Sequence, residues 1–204
     1  MFHDAFVKLD KEDTEQVLDI VNPVLQGVQL NPEKTVIMSY SPSFYPGCYF
    51  VDMSEYDTIP AQRCFAVLHG KEVFVLNWTN EPIYELNTKV PVSLDIYNIC
   101  EYVRFFFTFV KGRHGRFLIA ETVDDINWKE EPPPAARKAI GKMLTPMEAH
   151  VGEDGESFIV KASMMFKDSL FSCDVTVKKD GIVSISGEEL LIEEMPVLDD
   201  VFGQ

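Results

Sequence analysis

Basic residues are scarce in this chain of 204 residues, which has 18 Lys and Arg against 33 Asp and Glu and a formal net charge of −15 at pH 7. A surface with this charge repels phosphate backbones and anionic lipid headgroups. Long apolar runs are missing too, because Arg104 interrupts the most apolar stretch well short of the ~20 residues that a membrane helix needs. Nucleic acids and membranes are therefore not expected as partners.

Histidine and cysteine are few, and their spacing predicts neither a metal site nor a disulfide framework. No histidine lies two or four positions from another histidine or from a cysteine, and no C-x-x-C pair occurs. The cysteines lie far apart in apolar surroundings, which is typical of buried free thiols in a reducing compartment. Residues 1–11 also lack the basic and then apolar order of a secretion signal. We expect a cytoplasmic protein without a bound metal.

Motifs for nucleotide binding and for catalysis are missing as well. The chain has no G-x-x-x-x-G-K-[ST], no G-x-G-x-x-G after a strand and no G-x-S-x-G elbow. Acid pairs are abundant, but they lie in predicted loops and near the C terminus, where carboxylates are ordinarily solvated rather than enclosed. The sequence predicts no cofactor and no catalytic residue, and it favours a binding protein over an enzyme.

The most apolar part of the chain, about 94–110, leads directly into a basic segment, 111–116. The polar residues recur at steps of three or four, which places them in one stripe on a helix. These residues are Asn98, Glu101, Arg104, Thr108 and Lys111. Asp95 or Ser93 is expected to cap this helix, and Gly112 to end it in a left-handed conformation. Most of its circumference must then be covered by other parts of the protein.

A strand is the competing interpretation of this stretch, because Val103–Thr108 is rich in residues that favour β-structure. The length of the apolar stretch and the regular polar stripe favour the helix.

Strands are predicted on both sides of the helix. The patterns before it indicate hairpins within 35–57 and 63–78 and an edge strand at Ile83–Leu86, after a first helix within 11–26 capped by Asp13 or Thr14. The patterns after it indicate one strand at 116–120, a short basic helix at 135–144 and an antiparallel meander over 156–195. The predicted fold class is α+β, with mostly antiparallel sheets packed around a central apolar helix and a C-terminal β-meander.

Two units are predicted, separated by three prolines. The segment Glu130-Glu131-Pro132-Pro133-Pro134 is polar and stiff, as a linker is. We therefore expect an N-terminal α+β unit at 1–131, a linker at 132–134, and a helix with the β-meander at 135–204. The two units are expected to be able to pack as one body, because a small meander needs its apolar face covered.

An interaction surface is the first functional hypothesis. The loop around Ser41–Gly47 is dense in aromatic side chains, and exposed aromatic residues often form recognition surfaces. The candidates are Tyr40, Phe44, Tyr45 and Tyr49. The competing interpretation is that these side chains pack on both faces of their own hairpin. The acidic C-terminal region, including an acidic and apolar segment at 193–202, is a second candidate surface for a protein partner.

A small-anion site is the second hypothesis. Five residues near the end of the apolar helix can carry positive charge in an otherwise acidic chain: Arg104, Lys111, Arg113, His114 and Arg116. The two glycines of G-R-H-G allow a sharp loop, and arginine can hold a phosphate or a carboxylate by a bidentate fork. The alternative interpretation is that these cations only balance neighbouring acids.

A third hypothesis follows from the uneven charge. Residues 1–60 carry ten acids against three basic residues, and residues 150–204 carry twelve against four. Such a surface suits a basic protein partner or a mimic of nucleic acid. A homo-oligomer is also compatible with the sequence.

Overall fold

A computed structural model describes residues 6–198, which divide into two compact units. Unit 1 runs to Asn77 and includes Glu81–Ser93, and unit 2 consists of Trp78–Asn80 and the chain from Leu94 onward. This division differs from the predicted linker at 132–134. Its physical reason is that a strand before the prolines pairs with a strand after them, Phe117 opposite Phe166, so the proline segment lies inside unit 2.

Unit 1 is a five-stranded antiparallel sheet with two helices. The strand order is β1-β2-β3-β4-β5. The elements are β1 (Val7–Lys8), α1 (Lys11–Val21), β2 (Val36–Tyr40), β3 (Tyr49–Glu55), β4 (Gln62–His69), β5 (Glu72–Leu76) and α2 (Glu81–Lys89), with a 3₁₀ turn at Asn22–Val24.

Helix α1 covers one face of this sheet. Its buried residues Leu18 and Val21 pack with side chains that alternate along β2, β3 and β4, such as Val51 and Met53. The helix begins one turn earlier than predicted, because Asp10 is the cap and its carboxylate accepts the Asp13 N–H at 2.9 Å. A cap at this position satisfies an otherwise unpaired amide of the first turn.

Helix α2 replaces the edge strand that was predicted at Ile83–Leu86. Ile83 and Leu86 are both fully buried, whereas Glu85 between them is exposed. A strand would have placed Ile83 and Glu85 on the same face, whereas a step of three suits a helix. Glu81 in the first turn and Lys89 in the last also match the helix dipole.

Unit 2 is a six-stranded antiparallel sheet with two helices. The strand order is β11-β10-β9-β7-β6, and β8 also pairs with β9. The elements are α3 (Ile99–Phe109), β6 (Lys111–Gly112), β7 (Gly115–Ile119), α4 (Pro134–Gly141), β8 (Glu148–Val151), β9 (Ser157–Phe166), β10 (Ser169–Lys178) and β11 (Val183–Ile192), with a 3₁₀ turn at Val123–Asp125.

The central apolar stretch is a helix, as predicted, and not a strand. Asp95 caps the turn just before the helix, where its carboxylate accepts hydrogen bonds from the N–H groups of Tyr97 and Asn98 at 2.8 and 2.9 Å. The helix ends at Phe109 because Val110 is extended, with φ −115° and ψ 128°. Gly112 was expected to end the helix, but it lies in β6 instead.

Helix α3 packs on the sheet of unit 2 through its aromatic residues. Seven of its eleven residues are buried, which agrees with the expected cover on most of its circumference. The Phe107 ring meets the Phe117 ring of β7 edge to face, with centroids 6.0 Å apart. The buried Tyr102 hydroxyl donates to the Gly181 carbonyl at 2.7 Å. No helix within residues 6–198 has the length and apolar character that crossing a bilayer requires.

Strands β9, β10 and β11 form the predicted C-terminal meander, and α+β is the observed fold class. Strand β9 is paired along one edge by two separate strands, because β7 pairs with its C-terminal part and β8 with its N-terminal part. The chain between β7 and β8 makes an excursion, residues 121–147, that contains the three prolines and α4.

The excursion covers the second face of the sheet. Its apolar residues form a cluster with Met165 of β9 and Leu170 of β10. The members from the excursion are Val123, Ile126 and Leu144, with Trp128 and Ile140 packed against them. The end of the described chain closes the same cluster, where Lys129 N–H donates to the Pro196 carbonyl at 2.9 Å.

We expect Tyr102→Phe to lower the free energy of unfolding by about 1–3 kcal/mol, because the buried Gly181 carbonyl then loses its hydrogen-bond donor. Tyr97→Phe is the matched control, since Tyr97 is 93% exposed and lies just before the same helix. Urea unfolding of the two variants and the parent chain measures the difference. Equal unfolding midpoints for both variants would show that the buried hydroxyl contributes nothing.

Candidate functional site

The predicted anion-binding loop is a tight hairpin that joins helix α3 to the sheet. We call Lys111–Phe117 the basic hairpin. Lys111 pairs with Arg116 and Gly112 with Gly115, so Arg113 and His114 form the turn and are exposed. Neither side chain forms an ion pair with any of residues 6–198. The hairpin therefore presents positive charge at the surface of an acidic protein.

Close packing explains the two glycines of the basic hairpin. A Cβ on Gly112 would lie 3.0 Å from the Phe117 ring and 3.3 Å from the Gly115 carbonyl oxygen. A Cβ on Gly115, whose φ is +152°, would lie 3.2 Å from the Phe166 ring. The rings of Phe117 and Phe166 stack with centroids 4.7 Å apart. Only glycine lets the hairpin lie this close to that stack.

Trp78 holds two of the predicted cations. The Lys111 Nζ lies 4.5 Å from the centroid of the indole ring, and the Arg116 Cζ lies 5.9 Å from it. The Lys111 N–H also donates to the Trp78 carbonyl at 2.9 Å. A cation over an indole is stabilised by about 0.5–1 kcal/mol at exposed sites. The indole thus restrains both side chains before any ligand binds. Sequence reasoning missed Trp78, which lies more than thirty positions before Lys111.

Arg104 is not brought together with the other four candidates. Its guanidinium forms an ion pair with the Glu121 carboxylate, and both side chains are roughly one-quarter exposed. The second oxygen of Glu121 accepts the Met147 N–H at 2.9 Å. Arg104 therefore fixes the two ends of the excursion, which is the charge-balancing role that the alternative interpretation assigned to it.

A cavity of about 40 Å³ lies beside the basic hairpin. Its lining includes Gly115, Arg116 and Lys167 together with the apolar residues Leu118 and Met165. Lys167 was not among the predicted residues, because it follows Phe166 in the turn between β9 and β10. The register between β7 and β9 brings Lys167 next to the basic hairpin. No local sequence pattern predicts that register.

The size and charge of the cavity define what it can hold. Ligand pockets for whole cofactors or drug-sized molecules measure roughly 300–1,000 Å³. The volume here suits a few water molecules or one small charged group instead. Arginine offers a planar fork of donors and lysine a compact positive charge, and both groups recognise phosphate and carboxylate oxygens. The lining of the cavity thus includes two residues of the kinds that recognise an anionic group, and in the unliganded chain the Lys167 Nζ lies 5.7 Å from the centroid of the Phe166 ring.

Three of the four aromatic candidates do not form a surface. Phe44 and Tyr45 are fully buried and Tyr40 is almost so, whereas Tyr49 is 56% exposed. This burial agrees with the competing interpretation, in which the aromatic side chains pack on both faces of their own hairpin. Tyr40, Phe44 and Tyr45 are therefore excluded as exposed recognition residues. The ring centroids of Tyr40 and Phe50, which face each other across the β2–β3 pair, are 5.3 Å apart. The Tyr45 hydroxyl donates a hydrogen bond to the Asn87 side-chain oxygen at 2.5 Å.

Metal chemistry has no support from side-chain grouping within the described part of the chain. No three or more His, Cys, Asp or Glu side chains are placed to hold an ion among residues 6–198. The acidic and apolar segment predicted as a docking tail falls partly outside those residues, from residue 199 onward.

Comparisons with known proteins add no family to these observations. No protein-family model, no curated protein and no solved structure matches the chain.

The cysteines are poorly placed for nucleophilic chemistry. Burial raises the pKa of the Cys48 and Cys64 thiols, and burial together with the nearby charges of Glu188 and Asp174 raises the pKa of Cys173 to about 11. Burial also raises the pKa of Cys100, against the opposing effect of Arg104. Thiolate, and not thiol, is the reactive form.

We expect Cys173 to react very slowly with a thiol reagent at pH 8, because only about one thiol in a thousand is ionised when the pKa lies three units higher. Cys173 is only 3% exposed, which slows access of the reagent as well. Mass spectrometry after timed labelling of the native chain measures the labelling rate, and urea-unfolded chain is the control. Labelling of native Cys173 as fast as in the unfolded chain would contradict the prediction.

Proposed function

We propose that this chain is a binding protein that holds the anionic head of a small ligand, a phosphate or a carboxylate, at the basic hairpin. One observation carries the proposal: Arg116 and Lys167, which are fifty-one positions apart, line the same small cavity. The exposed Arg113 and His114 lie at the turn of the same hairpin. A ligand head in the cavity would therefore be held by two cations, and its remainder would lie near two further basic side chains.

Restraint of the side chains supports binding at this place. Arg116 packs against Trp78 and is paired across the hairpin with Lys111. A side chain that is already ordered loses less entropy when it binds, so more of the interaction free energy remains as affinity. The surrounding net charge acts in the opposite direction, because an acidic protein repels anions at long range. Binding should therefore depend on direct contact with the cavity and not on general attraction.

The size of the cavity limits the ligand class. An isolated head group makes few contacts, so inorganic phosphate alone should bind weakly, and the natural ligand should gain affinity from groups outside the cavity. The role proposed for the site is binding rather than catalysis.

We expect inorganic phosphate to raise the melting temperature of the parent chain and to shift the NMR amide signals of residues 115–118 and 165–167. Succinate in a parallel titration tests a carboxylate head in place of a phosphate. Lys167→Asn should weaken binding about tenfold, since a hydrogen bond to a charged group is worth about 1.5–3 kcal/mol. Lys167 has φ 54°, and asparagine tolerates this conformation better than most residues, so the fold should not suffer.

Two further variants make the test specific. Arg116→Lys keeps the positive charge near Trp78 but removes the bidentate fork, and it should weaken phosphate binding several-fold. Lys138→Gln is the matched control, because Lys138 is exposed on α4 and does not line the cavity; it should bind as the parent does. The proposal fails if Lys167→Asn and Arg116→Lys bind both anions as tightly as the parent chain.

A further inference from the structure

The outer edge of β11 is the longest open strand edge in unit 2. Strand β11 has ten residues and ends the strand order, so no strand within residues 6–198 pairs with its outer side. An edge strand presents a row of backbone donors and acceptors that another extended segment can use. Such an edge is the usual binding surface in β-strand addition, in which an extended segment of a partner adds one strand to the sheet.

The hydrogen-bond pattern identifies the outward groups. The Lys178 N–H donates to the Ile182 carbonyl at 3.0 Å, which makes those two residues a hydrogen-bonded pair. Such pairs alternate with non-hydrogen-bonded ones along an antiparallel ladder. With the register Thr176 to Ser184 and Val175 to Ile185, Ser184 bonds to β10, whereas the N–H and C=O of Ile185 point outward.

Charge selects what can pair with this edge. Four glutamates lie in β11 or directly after it, all of them exposed: Glu188, Glu189, Glu193 and Glu194. None of them forms an ion pair with a basic side chain within residues 6–198. Asp174 adds to this charge, because its carboxylate lies 3.5 Å from the position a Cβ would take on Gly187. The negative field also contributes to the raised pKa of the neighbouring Cys173 thiol.

We propose that the outer edge of β11 binds an extended basic segment of another protein by β-strand addition. A second copy of this chain is disfavoured at the edge, because it would bring four more glutamates alongside the first four. A basic segment would form backbone hydrogen bonds with Ile185, and its positive side chains would also neutralise the charge of the glutamates. This surface is separate from the basic hairpin and does not depend on the anion site.

The faces of the sheet specify the pattern of the partner. Ser186 lies opposite Asp174, and Glu189 lies opposite Ser172, so Asp174 and Glu189 are on the same face. Side chains of an added strand alternate between the two faces. The partner should therefore carry Lys or Arg at every second position. The irregularity in the ladder between Ser172 and Asp174 bends the edge, which favours a short segment over a long one.

The test uses the full chain and an alternating Lys–Val heptapeptide, with fluorescence anisotropy as the measure of binding. Ile185→Pro removes the outward N–H, keeps every charge and leaves the bonds to β10 in place, since proline is tolerated on the outer side of an edge strand. It should weaken peptide binding at least tenfold. Ile185→Val is the control for the side chain and should bind as the parent does.

The charge contribution has its own matched pair. The double variant Glu188→Gln with Glu189→Gln should weaken binding about threefold to tenfold. Glu148→Gln with Glu153→Gln changes the net charge equally on exposed residues of β8 and the turn after it, on the other side of β9 from β10 and β11, and should have little effect. A Lys–Pro peptide of equal charge should bind far more weakly than the Lys–Val peptide, because it has fewer backbone donors. Equal binding of the two peptides, or unchanged binding by Ile185→Pro, would overturn strand addition. Equal losses for the two double variants would overturn the assignment of the charge to this edge.

Discussion

The pairing of β7 with β9 is the interaction on which the arrangement of unit 2 depends. It places Phe117 opposite Phe166 and stacks their rings, and it allows two glycines to bring the basic hairpin against the stack. The same register places Lys167 next to the cavity that Arg116 lines. A shift of one residue would move the alternate side chains to the opposite face, and the two cations would no longer share a cavity.

Opposite charges occupy opposite edges of one sheet. The order β11-β10-β9-β7-β6 puts the glutamates of β11 at one edge and the basic hairpin at the other. Four strand spacings of about 4.8 Å separate the two edges by roughly 19 Å, which is about twice the Debye length at physiological salt. Salt therefore screens most of the interaction between exposed charges at that separation. The sheet therefore has a basic edge and an acidic edge within a single small unit.

Local patterns predicted the elements well where a period was long and regular. The stripe from Asn98 to Lys111 predicted α3, and alternation with short turns predicted β9, β10 and β11. The prediction failed where three-dimensional pairing decides the outcome. Ile83 and Leu86 are too few residues to separate a strand from a helix by period. The proline segment has the composition of a linker, but the strands on either side of it belong to one sheet.

The candidate site was predictable in part, for the same reason. Four of the five proposed cations lie on or next to the basic hairpin because they are close in sequence. Trp78 and Lys167 are distant in sequence, so only the fold reveals them. Arg104 shares the local cluster but faces Glu121, because helix α3 ends at Phe109 and the chain from Lys111 onward forms the basic hairpin instead of another helical turn. The composition of the aromatic loop left both a surface and a packed hairpin open, and only the fold shows that Phe44 and Tyr45 are buried.

The split edge of β9 has a consequence for how this chain tolerates change. Ile119 faces Met164 and Glu148 faces Lys161, and the Ala120 N–H donates to the Ser163 carbonyl at 3.0 Å. Counting along β9, residue 121 falls beside Ala162, next to Lys161, which Glu148 faces. Strands β7 and β8 therefore behave as one strand that the excursion interrupts and that resumes in register. We therefore expect a change in the length of the excursion near the prolines to leave the ladder unchanged. Removing the excursion entirely would keep the strand continuous but would uncover Met165 and Leu170, so the excursion is dispensable for pairing and required for the core.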